Sequence, residues 1–584
     1  MSKKLPWDNK LTCRLNAIKT WQVACIIAVL GFGFFFSGLS GGFQGDDSDQ
    51  IINNKAVHSI ANIGLFFKSS TFWNGETLVG DFYRPTMTTT YSLVYTFFGA
   101  NPIAYHVVQL IIYMACAFIL FLFLKKFFNS ATALLISLVF LVHPINSQVV
   151  FSIPSIQEPL MFIFGISALF VLSKSQTTKS LIIASILLFL SLMSKETAIV
   201  FVCMAALYLF LYNRDRVVLF IKLIVGPVLL FIILRISAVG FKNIAQSAPI
   251  DLLSFGERIS MIPSMIMFYI TKFMFPRDLA TSYYWTNKSY GVEGFVIPLI
   301  FVLVCTAGFV FAGKLIYKRT GKKALTAYLF FAAWAVLGLL PHMQIIALDM
   351  TACETWLFSV IVGLLGMIAL IIRSLQPHIQ PRWIIVPGVL ILMILGVRTE
   401  LRGLDYHSQE TLSLRDIAVT EKNYLAMNNL AKYYIDNNKP EKAEWYAQQS
   451  INYFPAVSNY INLGVIRQKT HNLAGAKQAY LEALKFVPLR VTYENIAIVN
   501  ITIGQSPDNI DFLKKALAIF PSDNRLWTYL AIEDAAAGNN EEAKVAIYNA
   551  FKLGPVPPSL YNAIFNHQHL DIPLPDSDRI VHIY

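Results

Sequence analysis

The chain has 584 residues and a formal net charge of +12, with 55% hydrophobic and only 14% charged residues and a mean hydropathy of +0.54. Soluble domains are about 25% charged, which excludes a single soluble enzyme. The basic residues sit in short clusters between apolar runs, where positive charge sets membrane orientation, so a nucleic-acid partner is excluded too. The six cysteines form no CxxC pair, and neither a disulfide framework nor a zinc site has support.

The first apolar run follows Lys3, Lys4, Lys10, Arg14 and Lys19 and lacks an A-x-A cleavage site. It reads as a retained signal anchor with a cytoplasmic N-terminus. Apolar runs of the length that crosses about 30 Å of hydrocarbon predict eleven spans, about 20–40, 103–124, 131–149, 157–173, 180–194, 197–212, 217–238, 294–313, 325–348, 355–372 and 383–397. Alternating connections then put every basic cluster (Lys125/Lys126, Lys174/Lys179, Arg214/Arg216, Lys314 to Lys323, and Arg373/Arg382) in the cytoplasm, as the positive-inside rule asks. The C-terminal region falls outside. Between 180 and 212 the apolar run is broken only by Ser194-Lys195-Glu196. The chain must turn back there, on arms of about 23 Å each, which predicts a Lys-Glu pair below the outer membrane surface. Residues 261–275 are apolar, but counting them as a span breaks the alternation, so they read as a re-entrant or interfacial helix. The outer connections 41–102 and 239–293 are long, which usually signals function.

Near residue 399 the chain turns polar. Prolines 455, 488, 521 and 555 recur at spacings of 33, 33 and 34, the period of tetratricopeptide repeats. Leu430-Ala431, Leu463-Gly464, Ile496-Ala497 and Leu530-Ala531 align in the first helix of each unit, and Ala443, Ala476 and Ala543 in the second. The third unit departs at Gln505–Asp511, where Pro507 interrupts. Four such units suffice for a stacked solenoid. The expected organisation is all-α: a membrane helical bundle over 1–398, a linker helix over 399–422, four repeats over 423–555 and a capping segment over 556–584.

The ionisable residues of the membrane half gather on its outer side. Asp46-Asp47-Ser48-Asp49 follows the first span; Tyr83-Arg84-Pro85 lies in the same connection. Asn101-Pro102 leads to Tyr105-His106, and His143-Pro144-Ile145-Asn146 closes the third span. Glu158, Lys195-Glu196 and Glu354 follow. Singly, His106, His143 and His342 read as packed, hydrogen-bonded residues. Together these groups predict a polar cavity, since charges at membrane depth usually mark a substrate path. Asp47 and Asp49 match the D-x-D pattern that holds a metal in many sugar transferases; alone it is weak, and no metal or other cofactor is expected.

The order of these motifs resembles the GT-C glycosyltransferases, and most closely the tetratricopeptide-bearing O-mannosyltransferase-like membrane proteins. That resemblance implies a GT-C-like bundle and single displacement at a sugar anomeric carbon, with a polyprenyl phosphate leaving. It implies Asp46 or Asp47 as the base, with a slight preference for Asp47, and Arg84 and Lys195 as phosphate contacts. Glu196 would orient Lys195 and His143 would shape the donor site, with His106, Glu158 and Glu354 in support. Ser147-Gln148 stands where those relatives often have Thr-Glu, and Glu354-Thr355 where they have Glu-Arg, so mannose is not implied.

The implied function is transfer of a sugar from a polyprenyl-phosphate donor to an extracytoplasmic acceptor, a hydroxyl of an envelope or pilin-like protein or of a glycan, with the solenoid able to hold a polypeptide. A bacterial inner membrane, with the repeats periplasmic, is the expected location. Two alternatives stay open. An oligosaccharide ligase or glycan polymerase using lipid-pyrophosphate donors usually places its key residues in a late outer loop, whereas the rich loop here is the first. A membrane-anchored repeat scaffold needs one span, not eleven.

Overall fold

A computed structural model describes residues 17–72, 82–240, 248–287, 291–375, 382–504, 506–573 and 580–583. Lys3, Lys4, Lys10 and Arg14 of the N-terminal basic stretch lie outside them. The chain divides into two compact units, one reaching Glu421 and the other beginning at Lys422.

In the first unit a helix occupies each of the eleven predicted spans. Five helical stretches are long and apolar enough to cross a membrane, and six if the bent pair Ser130–Val142 and Pro144–Phe151 is one span. Thr20–Phe35, Thr178–Ser194, Glu196–Tyr212 and Val360–Leu375 are apolar but shorter. The two arms flanking Lys195 are thus abbreviated, as the interrupting polar residues predict. The apolar windows of Arg214–Val239 and Val292–Thr320 are only 17% and 11% buried. In water so much exposed apolar surface would drive association; in hydrocarbon it is the lipid-facing side of a bundle. Aromatic side chains fill the interior, with Phe123, Phe127, Tyr208, Phe330 and Trp334 in mutual contact.

Several predicted boundaries are corrected, and prolines explain most of the shifts. The third span bends by 51° at Pro144, which has no N–H to continue the helical ladder. The span predicted over 325–348 ends early: Lys322–Leu339 gives way to a 3-10 turn, Leu340–His342, around Pro341. Residues 343–353 are irregular, Glu354–Leu357 form another 3-10 turn, and the next helix begins at Val360 rather than 355. The 41–102 connection is built from short turns between Ser48 and Phe66 and the helix Pro85–Phe98. Ile262–Met274 is a helix whose Met265, Tyr269 and Phe273 are buried. That four-residue spacing makes a single buried face, consistent with an interfacial helix.

The polar composition after residue 399 does not mark a break in the chain path. The helix Arg382–Gly403 continues through it, and a short turn and the helix Gln409–Val419 follow, so no single linker helix spans 399–422. Arg402 is fully buried and pairs with Asp405 (2.8 Å) and Asp416 (3.7 Å).

The second unit is a run of antiparallel helix pairs: Tyr424–Asp436 with Pro440–Tyr453, Val457–Lys469 with Leu473–Leu484, Arg490–Ile503 with Ser506–Ile519, and Asn524–Ala536 with Asn540–Leu553. Ala443, Ala476, Ala516, Ala543 and Ala550 are all fully buried where the helices meet. At Gly464 a Cβ would lie 2.3 Å from the Tyr480 ring, so the close approach needs glycine. Pro507 does not interrupt the third unit. It sits in the first turn of Ser506–Ile519, where its missing N–H has no helical partner to lose. The helix Pro558–Asn566 and a small antiparallel hairpin, Leu570–Pro573 with Ile580–Ile583, close the unit.

Candidate active site

The acidic turn after the first helix is tightly made. Gly45 adopts a left-handed φ of 55°, which lets the Gln44 N–H reach back to Asp47 Oδ2 at 2.8 Å. Gln44 in turn donates its side-chain N–H to the Tyr406 carbonyl at 2.6 Å. Asp47 is thereby buried, only 2% exposed, while its neighbour Asp46 is open. The two carboxyls have different characters. Burial, and secondarily Asp46, pushes Asp47 well above the usual carboxylate range, against the Gln44 hydrogen bond. Desolvation by the surrounding protein, then Asp49 and Asp349, raise Asp46 to about 6, with Arg84 opposing. Asp49 accepts from the Asn53 side chain (3.4 Å). Among the described residues no three His, Cys, Asp or Glu side chains are grouped to hold a metal ion.

Arg84 is set by its neighbours in sequence. Tyr83 is buried and donates its hydroxyl to the Phe67 carbonyl (3.0 Å). Pro85 begins the helix Pro85–Phe98, its φ preset for a first helical position. Between these anchors Arg84 lies over the Phe82 ring (4.3 Å) and pairs with Glu196 at 3.5 Å.

Lys195 is 6% exposed and ion-paired with Glu158, itself 2% exposed. The expected pairing of Glu196 with Lys195 is therefore corrected: Glu158 holds Lys195 and Glu196 holds Arg84. The cause is local. Lys195 has extended backbone angles (φ −162°, ψ 138°), and Glu196 starts a 3-10 turn. The change from extended to turn backbone sends the two side chains to different carboxylate and guanidinium partners.

Of the remaining candidates, the histidines make local contacts. His143 Nδ1 accepts the Ile145 N–H (3.3 Å), its Nε2 meets the Phe273 carbonyl (3.0 Å), and its ring stacks on Phe273. His106 is buried, with the backbone of Gly41 beside it. His342 stacks on Trp356 at 4.6 Å. No hydrogen bond or ion pair joins His106 or His143 to Asp46, Asp47, Arg84 or Lys195. Glu354 belongs to a second polar group. It accepts from the Ala280 N–H (2.6 Å) and the Tyr283 hydroxyl (2.8 Å). Burial raises it to about 7 against the pull of Arg402 and Lys272.

One participant was missed by the sequence reading. Asp349 is open to solvent yet stands in the field of Arg84 and Lys195, which lower its carboxyl against desolvation by the surrounding protein, the larger effect. The boundary predicted at residue 348 left it as one polar residue in a six-residue connection, with no motif around it. The arrangement as a whole brings Asp46, Asp47, Arg84, Lys195, Glu158, Glu196 and Asp349 into one electrostatic group. Two cations and an accessible carboxyl raised to about 6 can grip an anion while accepting a proton beside it.

No known family model matches the chain. Over 165 residues it is 27% identical to protein O-mannosyl-transferase TMTC3 of Homo sapiens, an alignment covering 28% of this chain and 18% of that protein. Over 144 residues it is 31% identical to protein O-mannosyl-transferase F38B6.6 of Caenorhabditis elegans, covering 23% and 20%. The chain spans about a fifth of the length of these curated relatives. Among solved structures, the Archaeoglobus fulgidus oligosaccharyltransferase in its apo form aligns over 73% of this chain and 59% of that one, at 11% identity and a TM-score of 0.36. That structural likeness is weak and says nothing of the site. The chain is thus similar to protein O-mannosyl-transferases, the class its motif order resembles.

Proposed function

We propose that the chain is an integral-membrane glycosyltransferase of the GT-C kind, moving a sugar from a polyprenyl-phosphate carrier to an extracytoplasmic hydroxyl. The observation that carries this reading is the pair of cations Arg84 and Lys195, each held by a carboxylate from a distant segment, next to the open carboxyl of Asp46. A planar guanidinium can bind two phosphate oxygens, and a buried ammonium adds a point charge that stabilises the leaving group as it departs. The acceptor hydroxyl gives its proton to a carboxylate as it attacks the anomeric carbon; the bond from that carbon to the phosphate oxygen breaks, and its electron pair leaves with the phosphate.

The environment favours Asp46 over Asp47 for the proton. A base works best when its pKa lies near the working pH and it can reach its substrate. Asp46 is open and raised to about 6, whereas Asp47 is buried and holds the turn. Glu158 and Glu196 position the two cations. The similarity to O-mannosyl-transferases supports sugar transfer; Ser147-Gln148 and Glu354-Thr355 leave the sugar open. The repeats suit an extended polypeptide, so the acceptor in this reading is a protein of the cell envelope, reached from a bacterial inner membrane.

The test is intact-mass spectrometry of envelope proteins from cells with and without the chain, with rescue by the wild type and by an Asp46→Asn/Asp47→Asn double variant. A monosaccharide-sized increment that disappears in the deletion, and that the normally inserted double variant does not restore, is the expected result. Loss of a whole oligosaccharide would indicate a ligase instead. Full rescue by the double variant would remove the acidic turn from the chemistry.

A further inference from the structure

Asp349 is a carboxylate whose position the fold takes care to fix. It stands in the irregular segment 343–353, which is tied at many points. The Gln344 side chain donates to the carbonyls of Met350 (2.7 Å) and Thr351 (3.1 Å) and accepts from the Leu348 N–H (3.0 Å), on a backbone with a left-handed φ of 55°. Arg258 Nε donates to the Gln344 carbonyl (3.0 Å). Thr351 Oγ1 donates to the Trp285 carbonyl (2.8 Å), and Ala352 bridges to Tyr283. Asp349 is therefore held in place, open to solvent, in the field of Arg84 first and Lys195 second. Neither cation needs it as a structural partner, because Glu196 and Glu158 already fill that role. It is a surplus negative charge beside the two groups that would take a phosphate.

Such a charge separates the two phosphates of the reaction. A sugar-bearing polyprenyl phosphate is a phosphodiester with one negative charge. Once the sugar leaves, the released monoester has a second ionisation near pH 6 and carries close to two charges at neutral pH. Repulsion from a fixed carboxylate scales with that charge, so it roughly doubles between donor and product. We propose that Asp349 is a specificity-determining residue that sets the site against the dianionic monoester, releasing spent polyprenyl phosphate while the monoanionic donor is retained. This role rests on the donor class proposed above.

The test uses the full chain in lipid nanodiscs and two probes that cannot transfer a sugar: polyprenyl monophosphate and its methyl diester. Asp349→Asn is expected to tighten the monoester about fivefold more than the diester. Asp349→Glu, which keeps the charge, is expected to keep the wild-type ratio and controls for disturbance of the segment. An unchanged ratio in Asp349→Asn, with both lipids still bound, overturns the role of Asp349 and leaves the donor class standing. Binding of neither lipid to folded wild-type protein overturns the donor class and this role together.

Discussion

The two units solve the burial problem in opposite ways. The repeat unit is held by many small contacts that recur: Ala443, Ala476 and Ala543 occupy equivalent places, and each buries almost the same small surface. The membrane unit instead holds a few charged side chains in ion pairs: Lys195 with Glu158, both buried and far apart in sequence, Arg84 with the partly exposed Glu196, and fully buried Arg402 with the nearby Asp405 and Asp416. A repeated apolar contact loses little when one copy is altered. A buried charge that loses its partner keeps its full desolvation cost. Sensitivity to substitution should therefore be spread thinly in one unit and concentrated at a few points in the other.

The largest effect is expected at the proposed base. Asp46→Asn should lower sugar transfer by about 10²- to 10⁴-fold, the usual contribution of a general base, with normal membrane insertion; a rate assay on purified protein checks it. Next is the buried pair. Glu158→Gln leaves Lys195 without its carboxylate and should cost about 3–5 kcal/mol of stability, read as a lowered melting temperature in detergent. The double replacement Glu158→Gln/Lys195→Met should recover most of that loss while leaving transfer impaired. If the single variant melts like the wild type, the contrast between the units fails.

In the repeat unit, Gly464→Ala forces a Cβ against the Tyr480 ring and should cost about 1–3 kcal/mol, the usual penalty of overpacking. Hydrogen exchange over 422–584 should show it as faster exchange. The smallest effect is on pH. Asp46 must be ionised to accept a proton and is raised from 3.8 to about 6, so transfer should fall about tenfold per pH unit below 6, measured as a rate profile. The stability sign is the reverse. A folded-state value above the unfolded one favours folding at low pH, and the gain is lost as pH rises through about 6. Asp46→Asn should therefore stabilise the chain above pH 6 and have little effect below pH 4.

Much of this is legible in the sequence. Apolar runs marked a helix at each predicted span, although only five, or six with the bent pair, are long and apolar enough to cross a membrane; the proline and alanine periods marked the helix pairs, because both signals are local and repeat along the chain. Tyr83-Arg84-Pro85 was legible as a motif, and its structure is a local one, with Pro85 starting a helix. The partners of Arg84 and Lys195 were not legible. Sequence adjacency pointed to Lys195 with Glu196, and the extended backbone at Lys195 separates them. Asp349 carried no signal, because its meaning lies in a segment shaped by Pro341 and the bonds of Gln344.

What the residues by themselves determined is the class of architecture, a bundle of apolar helices followed by a repeat solenoid, and a short roster of charged groups too costly to bury without purpose. Hydrophobic length and periodicity act over one or two turns of helix, so they survive in the linear chain. The tertiary structure decided which of those charges meet and which carboxyl stays open. Those outcomes depend on Coulomb interactions and desolvation between groups far apart in sequence, such as the 37 residues between Glu158 and Lys195 and the 112 between Arg84 and Glu196.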